Sequence, residues 1–346
     1  MIRIQNIYYM LAYAFQVLNE QGYKNIATEE FDNTAELCAA ILARGISTQV
    51  KRGLGKEYIP QTEALSSLRG KLDISESIKT QTFLKKQMIC SYDDFSVNSV
   101  MNRIIKSTVL LLVKGDISKS RKKELRKLMV FFEDVDVIDL YSVNWNMQYN
   151  RNNQTYRMLI SICYLVFKGL LQTQSDGTTK LMDFLDEQRM HRLYEKFILE
   201  YYRKEHPELT ANASQIPWQL DDDFGDMLPV MQTDIMLTKD EKTLIIDAKY
   251  YAHTTQRQYD KNTLHSGNLY QIFTYVKNKE AELAEEPHKV AGMLLYARTD
   301  EEIYPEKEYR MSGNQIGVRT LNLDGDFDMI KNQLNEIAEK FFGEAA

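Results

Sequence analysis

The sequence predicts a mixed α/β protein, with a mainly helical first domain that carries a small β insertion and a second domain in which strands and helices alternate. Three observations carry this. Residues 6–19, 33–50, 96–114, 119–132 and 154–172 read as helices. Residues 51–75 interrupt them with Gly53, Gly55, Pro60 and Gly70, which favour short strands and turns. Beyond the polar stretch Gln172–Lys180, apolar runs of strand length alternate with further helical patterns. The boundary falls in that stretch, giving domains 1–176 and 177–346.

The elements follow in order. Residues 6–19 form an amphipathic helix in which Tyr8, Tyr9, Tyr13 and Phe15 suit packing better than base stacking. The second helix carries Leu37, Ile41 and Leu42 at helical spacing. After the insertion, Leu84–Tyr92 reads as a strand. A long helix is expected over 181–204, then short runs at 214–220, 227–238 and 242–251 and a polar loop. A helix near 267–284, strands at 290–297 and 316–323 and a helix over 326–342 complete the pattern.

Composition excludes several classes. With 44% hydrophobic and 27% charged residues, the 346-residue chain has the profile of a soluble globular protein. Its net charge of −6 argues against a dedicated DNA-coating protein, so any nucleic-acid contact must come from a local patch. Cys38, Cys90 and Cys163 are far apart in sequence, which argues against a disulfide framework or zinc site and fits a reducing cytoplasm. The opening MIRIQNIYYMLAYAF is broken by polar residues and lacks a cleavage pattern, so it is not expected to be a signal segment. Runs such as Thr108–Val113 are too short to span a bilayer.

The chemistry concentrates in TDIMLTKDEKTLIIDAKYY, residues 233–251. A hairpin of 231–237 and 243–249, turning between Asp240 and Glu241, sets Asp234 opposite Asp247. Lys249, two residues on, points to the same face. Two adjacent carboxylates repel, so either one holds a proton or a hard divalent cation such as Mg²⁺ lies between them. A nearby lysine suits water positioning or charge stabilisation on a phosphate. Asp240 and Lys242 repeat the D-x-K letters, but their place in the turn suggests solvation.

These residues resemble the PD-(D/E)xK nuclease core: Asp234, then Asp247-Ala248-Lys249 closing an apolar strand, with Thr233 where the motif has proline. Gln271 and Tyr275, one helical turn apart, are similar to an extra motif of the RecB-like branch. Glu195 in LYEKF resembles the glutamate that commonly precedes the core. NIYYMLAYAF, Tyr58, LRGKLD (68–73) and DDFSVNSVMNRIIK (93–106) look like McrC, the nuclease subunit of the McrBC modification-dependent restriction system.

The resemblance implies a PD-(D/E)xK restriction-endonuclease-like second domain that cuts double-stranded DNA containing modified cytosine, with no role at a membrane. Asp234, Asp247, the carbonyl of Ala248 and Glu195 would hold Mg²⁺. Lys249 would position water or stabilise the phosphate, and Gln271 would orient the site. It also implies an McrB-like AAA+ GTPase hexamer as partner. The first domain would dock on that ring, and 51–75 would form a projecting strand pair that enters it. The chain has no G-x-x-x-x-G-K-[ST] loop, so GTP would belong to the partner. A RecB-like repair nuclease acting alone, or an adaptor with an inactive nuclease fold, would use the same scaffold.

Two features stand apart. Lys119–Lys127, KSRKKELRK, is strongly basic and suits either a phosphate contact, an acidic partner or a solvated helix face. The five histidines lack zinc-type spacing with cysteine, although His253 and His265 flank the loop after the DAK strand.

Overall fold

A computed structural model describes residues 2–15, 26, 29, 31, 33–150, 153, 155–176, 187–222, 224–250, 255–258, 261–298 and 305–343. The chain divides into two compact units, one of Asp32–Asp183 and one that joins Met1–Phe31 to Phe184–Ala346. This departs from the contiguous division at 176/177. The reason is the first helix, α1 (Ile4–Ala14), whose aromatic face is buried within the second unit. Tyr9 stacks on Phe327 at 4.1 Å between ring centroids, and Tyr13 meets Phe197 and Tyr201. The Asn6 amide donates to the carbonyls of Leu323 and Gly325, both at 2.8 Å. Of the four aromatic residues, Tyr13 belongs to the unit's core and Tyr8 is buried, while Tyr9 and Phe15 are half-buried.

The Asp32–Asp183 unit is mainly helical. It contains α2 (Thr34–Arg52), β1 (Glu57–Leu65), β2 (Lys71–Asp73), the short α3 (Ile74–Lys79), β3 (Met88–Ser96), α4 (Val100–Lys114), α5 (Lys119–Met129) and α6 (Tyr156–Asp176). Asn33 caps α2 by accepting from the Glu36 N–H at 2.8 Å. The β insertion is a three-stranded antiparallel sheet in the order β1-β3-β2. Residues 51–75 therefore do not form a strand pair of their own, because β3 lies between β1 and β2. Gly70, at φ +67°, lies where a Cβ would meet the Ser91 carbonyl at 2.4 Å, so β2 can approach β3 only without a side chain there. Buried Asn102 on α4 ties the insertion's base down: its amide donates to the carbonyls of Gly55 and Val97, and its Oδ1 accepts from the Tyr156 hydroxyl.

In the other unit, α7 (Glu187–Glu205) precedes β4 (Thr210–Asn212), β5 (Gln215–Ile216), β6 (Met231–Gln232), β7 (Ile235–Lys239), β8 (Lys242–Lys249), β9 (Thr255–Gln258) and β10 (Lys261–Leu264). Then come α8 (Ser266–Glu282), β11 (Lys289–Ala297), β12 (Lys307–Met311), β13 (Asn314–Leu321) and α9 (Phe327–Phe342). A six-stranded mixed sheet runs β12-β13-β11-β8-β7-β4. β11 is parallel to both β8 and β13, while the remaining pairs are antiparallel.

Side-chain alternation along β8 divides the core. Leu244, Ile246 and Ala248 pack with residues of α7 and α9, whereas Ile245 packs with Ile272, Tyr275 and Val276 of α8. Gly292 on β11 lets α8 lie close, since a Cβ there would come within 2.7 Å of Ile272 and 2.8 Å of Val276. Both faces of the central strands are covered, which accounts for the near-continuous apolar runs in β8 and β11.

Other departures have local causes. Only fragments of the 214–220 and 227–238 runs are strand, and β4 and β12 are additional strands. β12 is largely exposed at a sheet edge, so it lacks an apolar alternation to reveal it. The polar loop after β8 contains the β9–β10 ribbon. Helix α6 continues to Asp176, into the stretch read as a boundary, while residues 177–186 and His253 lie outside the described residues. Among the described residues no helix is long and apolar enough to cross a membrane. All three cysteines are free and buried.

Candidate active site

The β7–β8 hairpin has the register that its sequence dictates, with Ile235 opposite Ile246 and Lys239 opposite Lys242. Asp240 takes up the two-residue turn at φ +51°, a conformation that Asp tolerates better than most residues. Continuing the register sets Asp234, one residue before β7, opposite Asp247. Ala248 closes the link, as its backbone N–H donates to Asp234 Oδ2 at 2.9 Å. Thr233 makes reciprocal bonds with Ser214: its N–H and hydroxyl donate to the Ser214 carbonyl at 3.0 and 2.9 Å, and its Oγ1 accepts from the Ser214 N–H at 3.1 Å. Thr233 thus anchors the backbone that leads into Asp234.

Asp247 is 1% exposed and Lys249 7%. The Lys249 ammonium lies 2.9 Å from each Asp247 oxygen. It donates to Oδ1 and forms an ion pair with Oδ2. The same ammonium donates to Gln271 Oε1 at 3.3 Å. Gln271 Nε2 donates to the Tyr275 hydroxyl at 2.9 Å, and that hydroxyl donates to the Gln232 carbonyl at 3.1 Å. The Gln-x-x-x-Tyr element thus braces the lysine from α8 and returns to the residue before Thr233.

The carboxyl groups perturb each other. Burial, then the charges of Asp247 and Glu195, push Asp234 up to about 8. Asp247 is also raised by burial, against the opposing pull of Lys249. Glu195, on α7, is near enough to act on Asp234, and pairs with His191 one turn earlier at 2.5 Å between Oε1 and Nδ1. His191 also lowers the proton affinity of Asp247 through its charge. Zinc-type spacing does not mark this histidine; the usable signal is its position four residues before Glu195 on one helix face.

The structure thus brings Asp234, Asp247, Ala248, Lys249 and Gln271 together, with Glu195 beside them. Among the described residues, no three His, Cys, Asp or Glu side chains close into a ready metal-binding group. The donor chemistry nevertheless fits a hard cation: two buried carboxylates lie side by side, and burial disfavours their ionising together. Lys242, in contrast, donates to the Phe342 and Gly343 carbonyls at 3.5 and 3.2 Å, so the turn's D-x-K is a structural tie as well as a surface feature.

Fold and site together define a mixed α/β protein whose central hairpin presents an acidic pair and a lysine beside the ends of parallel strands. A family model for a McrBC 5-methylcytosine restriction system component matches residues 4–297, and the chain belongs to that family. It is 28% identical over 346 residues to the Type IV methyl-directed restriction enzyme EcoKMcrBC of Escherichia coli (strain K12), covering 98% of each chain. Its fold is similar to a chain in the half-complex of Thermococcus gammatolerans McrB AAA+ hexamers with bound McrC. That match has 17% identity and a TM-score of 0.51, and covers 97% of this chain and 76% of the other.

Proposed function

We propose that the chain is the nuclease subunit of a modification-dependent restriction system, with a PD-(D/E)xK-type active site on β7, β8 and α8. It hydrolyses phosphodiesters in double-stranded DNA that carries modified cytosine, in the cytoplasm, together with an McrB-like AAA+ GTPase hexamer that uses the GTP. The observation that carries this reading is the convergence of Asp234, Asp247 and Lys249 on one face of the hairpin.

Asp234 and Asp247 would hold Mg²⁺, with the Ala248 carbonyl and Glu195 at its margin. When bound, Mg²⁺ supplies neutralisation of the carboxylate pair and polarisation of the scissile phosphate. Lys249, fixed between Asp247 and Gln271, presents a positive charge to orient the attacking water or stabilise the pentacovalent phosphate. Gln271 and Tyr275 keep the ammonium in place without taking part in proton transfer.

Docking on the GTPase ring falls to the unit of residues 32–183. Its β insertion exposes Tyr58, Leu68, Ile74, Ile78, Phe83 and Leu84, an unusual apolar display for a free surface. Asp247→Ala tests the division of labour. In Mg²⁺, GTP and the partner, it is expected to abolish cleavage of methylated DNA while leaving GTPase stimulation intact. Retained cleavage would remove Asp247 from the site.

A further inference from the structure

Helix α5 carries an unpartnered basic face. Its segment Lys119–Lys127 has six Lys or Arg residues and one Glu, in a chain whose net charge is −6. Arg121 pairs with Glu124 at 2.7 Å and with Glu36 at 3.5 Å. Among the described residues, Lys119, Lys122, Lys123, Arg126 and Lys127 make no ion pair. Their i, i+3, i+4, i+7, i+8 spacing places them within an arc of roughly 140° on the helix. Leu125, off the edge of this arc, is fully buried, whereas Lys119, Lys123, Arg126 and Lys127 are exposed and Lys122 is half-buried.

This arrangement is unfavourable for an isolated helix. Lys119–Lys123, Lys122–Arg126 and Lys123–Lys127 set like charges one turn apart. The first turn contains no acidic residue, although the helix dipole favours anions there. Glu36, reaching from α2, satisfies the Ser118 N–H and hydroxyl at 2.8 Å each, but leaves the five cations unmatched. A solvated face in an acidic protein has no need of this segregation, and an apposed polyanion relieves both costs. The stripe is about 12 Å long at 1.5 Å per residue. Over that length of duplex axis each strand carries roughly three to four phosphates.

We infer that this face of α5 binds the phosphate backbone of duplex DNA without reading its bases, as a contact separate from the carboxylate site. It rests on the proposed function only in taking DNA as the ligand. Binding is measured in EDTA, so failure of the metal-site assignment leaves the result readable.

The test compares the full chain with a variant carrying Lys119→Gln, Lys123→Gln, Arg126→Gln and Lys127→Gln. Glutamine keeps good helix propensity and removes the like-charge pairs, and circular dichroism checks that the helices persist. Fluorescence anisotropy with a duplex of about 30 base pairs is expected to show at least about tenfold weaker binding near 0.1 M NaCl. The slope of log affinity against log salt should become shallower by roughly 0.9 for each phosphate that the protein no longer neutralises. Methylated and unmethylated duplexes should be affected equally. A control with Lys51→Gln, Lys79→Gln, Lys85→Gln and Lys86→Gln changes net charge by the same amount elsewhere in the same unit, and should bind like the parent chain. Unchanged affinity and slope, an equal weakening in the control, or no duplex binding by the parent chain would each overturn the proposal. So would normal DNA binding combined with failure to capture the GTPase partner, since the stripe would then serve an acidic protein surface.

Discussion

Lys249 and Asp247 form a buried ion pair on one strand, two residues apart and 2.9 Å between charged groups. Removing one partner from a buried pair leaves an uncompensated charge, which typically costs about 3–5 kcal/mol. Lys249→Met is therefore expected to lower unfolding free energy in urea by a few kcal/mol, as well as to abolish cleavage. The double variant Asp247→Asn/Lys249→Met should recover much of the stability and none of the cleavage. If the single and double variants unfold alike, the pair carries no coupling energy.

Asp234 makes stability depend on pH. Its pKa is raised by burial and by neighbouring charge, from 3.8 to about 8. Below pH 4 both the folded and unfolded chains hold this proton. Between roughly pH 4 and 8 the folded chain holds a proton that the unfolded chain has released, so stability falls as pH rises and levels off above 8. Asp234→Asn retains an acceptor for the Ala248 N–H and removes the ionisation. It should match the parent chain near pH 4 and melt several degrees higher near pH 8.5, a gain on the order of 1–3 kcal/mol. Added Mg²⁺ should raise the melting temperature of the parent chain at the higher pH and leave the variant nearly unmoved. A variant less stable than the parent at pH 8.5 contradicts the assignment.

Much of the candidate site's geometry is legible in the sequence because the informative signals are local. The two-residue turn at Asp240-Glu241 sets the pairing of β7 with β8, and strand alternation then decides which side chains share a face. Gln271 and Tyr275 are readable for the same reason on a helix. What escapes depends on distant contacts. Nothing in NIYYMLAYAF says that its aromatic side chains will seek Phe327, over 300 residues away, rather than the neighbouring helices. Strand β3 inserts between β1 and β2 because of sheet order, which composition does not encode. The Thr233–Ser214 exchange likewise joins two short segments whose polar letters look like ordinary loop.

His191 supplies a test of how the third carboxylate is used. Its Nδ1 lies 2.5 Å from Glu195 Oε1, so the glutamate that acts on Asp234 is itself held by a partner. Hydrogen-bonded partners of ligating groups commonly set metal affinity, and their removal costs about 10–100-fold. His191→Ala should therefore weaken Mn²⁺ binding, measured by calorimetry without DNA, by about tenfold, and raise the Mg²⁺ needed for half-maximal cleavage in proportion. Saturating metal should restore most of the cleavage rate, because Asp234, Asp247 and Lys249 remain in place. Glu195→Gln should show a weakening of similar size, and combining it with His191→Ala should add little, since the two act through one contact. If Mn²⁺ binds both single variants as tightly as the parent chain, the pair serves only α7, and the metal is held without Glu195.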